Sequence, residues 1–153
     1  MFHGIRILGL GGSYRYKPGV NQYTEVQMER RIRRLFWKIR RKGGIDILVT
    51  HAPAGGMHDG EDLCHKGFDA FYRVINKYHP KYFVHGHMHM NYGRDIPRED
   101  FIGDTKVINA YERYVIEIKK LSDNHALYCQ ALHCGANDCM ITALTHRGMF
   151  FGL

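Results

Sequence analysis

Two short apolar runs, each closed by a histidine, constrain this chain more than anything else in it. The first is Ile45-Asp46-Ile47-Leu48-Val49-Thr50-His51, followed by Ala52-Pro53. The second, Tyr82-Phe83-Val84-His85, leads into Gly86-His87-Met88-His89. Runs this short and this apolar suit strands buried on both faces. Between them Phe68, Phe71, Tyr72 and Ile75 recur at helical spacing over residues 68–78, and Pro80 ends the pattern. Strand, helix, strand makes a β-α-β unit with parallel strands and a right-handed crossover. Both histidine-bearing ends then share the carboxyl edge of one sheet, where open α/β sheets bind ligands. If the second strand continues through Gly86, His87 and His89 project to the same face. Gly86 removes a side chain where the backbone would turn or approach an ion. His85 reads as a packing residue.

The flanking sequence extends an α/β fold. Residues 5–10 read as a strand ending in the glycine loop Gly9-Leu10-Gly11-Gly12. That loop lacks the spacing of a dinucleotide fingerprint or a P-loop. Thr24 and Gln27 fit a capping box, with Tyr23 and Met28 as the accompanying hydrophobic staple. The helix they open runs to about Lys42 with Met28, Ile32, Leu35, Phe36 and Ile39 inward, and Gly43-Gly44 stops it. Residues 105–109 and 114–118 read as a C-terminal hairpin. After Lys120 the charge thins, Cys129, Cys134 and Cys139 recur every five residues, and the remaining residues follow no clear helix or strand period. Residues 1–120 therefore read as one domain and 121–153 as a tail of uncertain structure.

Composition narrows the classes. At 153 residues and 44% hydrophobic content the chain suits one globular domain. No apolar run reaches the roughly 18 residues of a membrane span. The first residues show neither the basic nor the apolar region of a secretory signal, so a cytoplasmic protein is expected. In that compartment the cysteines are thiols rather than disulfides. The net charge of +7 suits a phosphate-bearing partner. Much of it lies at Arg30, Arg31, Arg33, Arg34, Lys38, Arg40, Arg41 and Lys42 on the long helix, beside Trp37. A solvated outer face is the commoner outcome of such a run, and a nucleic-acid-binding stripe the alternative.

Gly86-His87-Met88-His89 after one strand, and Thr50-His51-Ala52-Pro53 ending another, resemble the calcineurin-like metallophosphoesterases. The resemblance extends to Gly9-Leu10-Gly11-Gly12-Ser13 and Val107-Ile108-Asn109, and covers about residues 4–118. It implies an α/β/β/α sandwich and a hydrolase of the phosphatase or phosphodiesterase kind. It also implies two divalent metals, of Mn, Fe, Zn or Ni type. In that reading His51 and His87 bind one metal and His89 the other, and a metal-activated hydroxide attacks phosphorus.

The resemblance is to the carboxyl half of that family. Its D-x-H, G-D-x-x-D and G-N-H-D/E motifs, which supply the bridging aspartate and the general-acid histidine, have no counterpart ahead of the first strand. Weak or no hydrolysis by this polypeptide alone is the expectation. A half domain would also leave one sheet face uncovered, which implies self-association or a partner carrying the amino-terminal half. Arg15, Asp62, His65 and Asn109 are further candidates for contact with a phosphate-ester substrate, because they follow the strand ends or the glycine loop. The rival reading is a non-catalytic metal- or partner-binding module. A basic nucleic-acid-binding protein is the third.

Overall fold

The structure, a computed structural model, describes residues 4–88, 97–111, 114–120, 123–134 and 138–145; for 117–120, 123–134 and 138–145 it describes the backbone. It is a mixed α/β fold. Strands β1 (Ile7–Leu10), β4 (Ile47–Thr50), β5 (Tyr82–His85) and β7 (Thr105–Asn109) pair in parallel, and β6 (Glu99–Ile102) adds an antiparallel edge. The order is β1-β4-β5-β7-β6. Two further short strands, β2 (Ser13–Tyr14) and β3 (Gln22–Tyr23), pair with each other ahead of the first helix.

That helix, α1, spans Glu25–Arg41 and begins as its sequence predicts. The Thr24 hydroxyl accepts from the Gln27 N–H at 3.3 Å, and the Gln27 side chain accepts from the Thr24 N–H at 2.9 Å. This reciprocal cap satisfies two backbone donors that would otherwise lack partners. Tyr23 and Met28 belong to one core cluster. At the far end Gly43 and Gly44 adopt φ of 77° and 114°, and their N–H groups donate back to Arg40 and Ile39. Only glycine takes that left-handed pair without strain. Helix α2 (Asp69–Tyr78) starts without a side-chain cap and ends at His79, with φ of 46°, just before Pro80.

The sheet divides the core. On one face α1 and α2 bury Met28, Ile39, Phe71 and Val74 against Leu48, Phe83 and Val107. Large side chains such as Phe71 and Phe83, buried completely, contribute about 1.5–3 kcal/mol each. On the other face Ile47, Val84 and Ile108 pack with Ile5, Ala110 and Ile116. That second face corrects an expectation: it is covered in this chain rather than exposed.

Three further corrections concern strands. Both strands expected to begin at Ile5 and Ile45 begin two residues later, at Ile7 and Ile47. Residues 105–109 and 114–118 do not pair as a hairpin. The antiparallel partner of β7 is β6, Glu99–Ile102. Strand β8 (Val115–Lys120) instead joins β9 (Asp123–Cys134) and β10 (Asp138–Thr145) in a separate antiparallel sheet, ordered β10-β9-β8. Within the tail read as uncertain, the described residues 123–134 and 138–145 are strands.

Candidate metal centre

The carboxyl edges of β4 and β5 sit side by side, with Thr50 opposite His85 in register. Past them the two chains stay tied, the Gly86 N–H donating to the His51 carbonyl at 3.1 Å. This brings His51 and His87 together: Nε2 of His51 lies 2.9 Å from Nδ1 of His87, with ring centroids 4.6 Å apart. The convergence is as predicted, but the route differs. Strand β5 stops at His85 and does not carry its alternation through Gly86. Instead the Met88 N–H donates to the Gly86 carbonyl at 2.8 Å, closing a three-residue turn with His87 at φ 66°. A side chain other than glycine in that region costs on the order of 1–3 kcal/mol. Asn109 helps hold the turn. It is 1% exposed, its amide donates to the Met88 carbonyl at 2.9 Å, and its carbonyl accepts from the Tyr111 N–H at 3.1 Å. His89 lies outside the described residues.

The proton on His87 can be placed. Its Nε2 hydrogen-bonds the backbone carbonyl of Cys64, which can only accept. Nε2 therefore carries the hydrogen, and Nδ1 turns its lone pair toward His51. A ring that donates one N–H to a carbonyl and offers the other nitrogen is how proteins orient a metal-binding histidine. Two nitrogens bound to one ion stand about 3.0–3.4 Å apart for bonds of about 2.0–2.1 Å. The observed 2.9 Å is a hydrogen bond from His51 Nε2–H to His87 Nδ1, and a divalent cation would take that proton's place with a slight spreading of the rings.

The loop between β4 and α2 supplies a second group. Asp62, Cys64 and His65 bring their ligand-type atoms within 4.8 Å of one another. The Cys64 thiol donates to Asp62 Oδ2 at 2.5 Å, and His65 Nδ1 lies 2.7 Å from the same oxygen. The His65 ring is 5.3 Å from that of His87, centroid to centroid. Asp62 and His65, both predicted as site residues, thus flank the histidine pair. The thiol hydrogen bond, with His65 adding to it, holds the Asp62 carboxyl down at about 2. Burial and then the Asp62 carboxylate push the Cys64 thiol up, so it keeps its proton. Close approach of the chain shapes this loop at Gly67, where a Cβ would stand 2.5 Å from the Ala54 backbone.

Arg15 takes a different place. It bridges Gln27 Oε1 at 3.0 Å and the Gln22 carbonyl at 3.5 Å, joining β3 to the start of α1. His58 was not foreseen at all. At φ 57° and almost fully buried, its Nδ1 lies 3.0 Å from Nε2 of His85, which is itself 0% exposed. Burial pushes His58 down, against Asp100, and pushes His85 down to about 3, against the Gly86 carbonyl. Nothing in Met57-His58-Asp59-Gly60 beyond a turn signal points to that partnership, which joins residues 27 positions apart.

Compared with known proteins, the chain matches no family model and no curated protein. Among the described residues no helix is long and apolar enough to cross a membrane.

Proposed function

We propose that this chain carries the carboxyl half of a metal-dependent phosphoesterase centre, with His51 and His87 as ligands of one divalent cation. The observation that carries the reading is the His87 ring, its Nε2–H held by the Cys64 carbonyl and its Nδ1 facing His51 at 2.9 Å. A divalent cation there would supply Lewis acidity toward a phosphoryl oxygen and bring the pKa of water to about 7. His89 is the ligand proposed for a second cation. Helices on one sheet face, and Ile116 of the second sheet against the other, are compatible with the sandwich this family builds.

The general acid implied by the resemblance has no motif here, and the Asp62–His65 couple is the group we assign in its place. His65, hydrogen-bonded through Nδ1 to Asp62 and with its ring 5.3 Å from that of His87, is the residue we assign to proton exchange with a substrate oxygen. Asn109 acts by holding the turn that aims His87. A second reading is a split enzyme, in which another polypeptide brings the carboxylate motifs that have no counterpart here.

Elemental analysis after loading with Mn²⁺ or Zn²⁺ and desalting tests the centre. Retained metal that disappears in His51→Ala and His87→Ala supports it, and equal metal in all three proteins overturns it. Hydrolysis of a chromogenic phosphodiester separates the two readings. Turnover by the chain alone, lost in His65→Ala with metal retained, supports a self-sufficient enzyme. Metal binding without turnover supports the split form.

A further inference from the structure

Helix α1 carries nearly all of the protein's net charge. Residues 24–42 hold eight Lys and Arg side chains against Glu25 and Glu29, a net of +6 (8 − 2) out of +7 for the whole chain. The fold sorts these charges. Both carboxylates turn toward α2 and pair with Arg73. Arg31 turns back, donating to the Gly11 carbonyl at 2.6 Å and covering the Tyr23 ring. Arg30, Arg33, Arg34, Lys38, Arg40, Arg41 and the capping Lys42 remain outside, all exposed, and none has an ion-pair partner among the described residues. In their midst Trp37 is 67% exposed.

At 3.6 residues per turn, Arg30, Arg33, Arg34, Trp37 and Arg41 share an arc of about 100° and a length of roughly 16 Å. Like charges three and four residues apart, such as Arg30/Arg34 and Arg34/Lys38, repel one another on a helix. The stripe therefore works against the helix that bears it, and a polyanion laid along it would relieve the repulsion. Five of the seven outward cations are arginine, whose planar fork takes phosphate through two hydrogen bonds. A lipid surface fits less well, since interfacial helices insert an apolar face and that of α1 is turned to the core through Met28, Ile32, Leu35 and Ile39.

We infer that the outer face of α1 binds the backbone of a single-stranded nucleic acid, with the arginines on phosphates and Trp37 stacked on a base. This rests on nothing in the metal centre. Trp37 is the only tryptophan of the chain, so its fluorescence reports from this face alone. Titration of the full chain with oligothymidylate or oligouridylate of roughly 20 nucleotides, several times a typical site size, should quench it. Raising salt from about 50 to about 200 mM should weaken binding by roughly 50- to 300-fold if four to six phosphates are contacted. The R33E/R34E double variant, altered only on the exposed surface, should bind at least about tenfold more weakly, followed by anisotropy of a labelled strand. Response to either sugar supports the inference, and the comparison of the two tells which is preferred. No quenching, salt-independent binding or unchanged affinity in the double variant overturns it. A blue shift with phosphatidylglycerol vesicles and no response to either oligonucleotide also overturns it and assigns the face to lipid.

Discussion

Two histidine pairs stand near the same sheet edge, and their nitrogens are almost equally spaced: 2.9 Å for His51–His87 and 3.0 Å for His58–His85. Their surroundings separate them. His85 is completely buried behind Phe83, and its Nδ1–H goes to its own neighbour's carbonyl, Gly86 at 3.1 Å. Its remaining nitrogen faces His58, so the pair reads as a neutral structural hydrogen bond in a low-dielectric interior. His51 and His87 are half-buried, beside a loop with a carboxylate, a thiol and a third imidazole. Imidazoles in contact do not by themselves make a site. Access and the direction of the lone pairs do.

Exchanging one member of each pair should break the symmetry. The largest expected effect is on metal: His87→Ala should abolish retention through desalting, while the left-handed φ of 66° stays as strained in alanine as in histidine, so the variant gains no stability from the backbone. Next, His85→Ala should cost about 2–4 kcal/mol in denaturant unfolding, because it opens a cavity and leaves His58 without its partner. Metal per folded molecule should be unchanged. Metal loss in His85→Ala at full stability would show that the two pairs are one system.

Smaller effects sharpen the contrast. Asn109→Ala frees the Met88 carbonyl and should weaken metal binding about tenfold by isothermal titration, an outer-shell effect, with about 1–2 kcal/mol of stability lost. The smallest lies remote from both pairs. Arg6, through its side chain, holds the Asp46 carboxyl below its usual range, with Nε to Oδ2 at 2.9 Å. A depressed carboxyl contributes stability that is complete above its unfolded value of about 3.9 and is lost as pH falls through the lower folded value. Asp46→Asn should therefore flatten the acid limb of a stability–pH curve below about pH 4, by less than about 1 kcal/mol for a pair this exposed. Metal content at neutral pH should not move.

The amino-acid sequence by itself determined the local units. The Thr24–Gln27 box, the Gly43-Gly44 stop, the apolar stripe of α1 and the Tyr82–His85 strand all rest on interactions within a few residues, and each lies where its pattern puts it. The meeting of His51 and His87 was legible for the same reason, since a β-α-β unit has one handedness and one ligand-binding edge. Tertiary structure alone decided the partners across long separations. It paired β7 with β6 rather than β8 and set His58 on His85. Those choices depend on sheet register and on which buried donor finds an acceptor, and no short-range pattern in the chain encodes either.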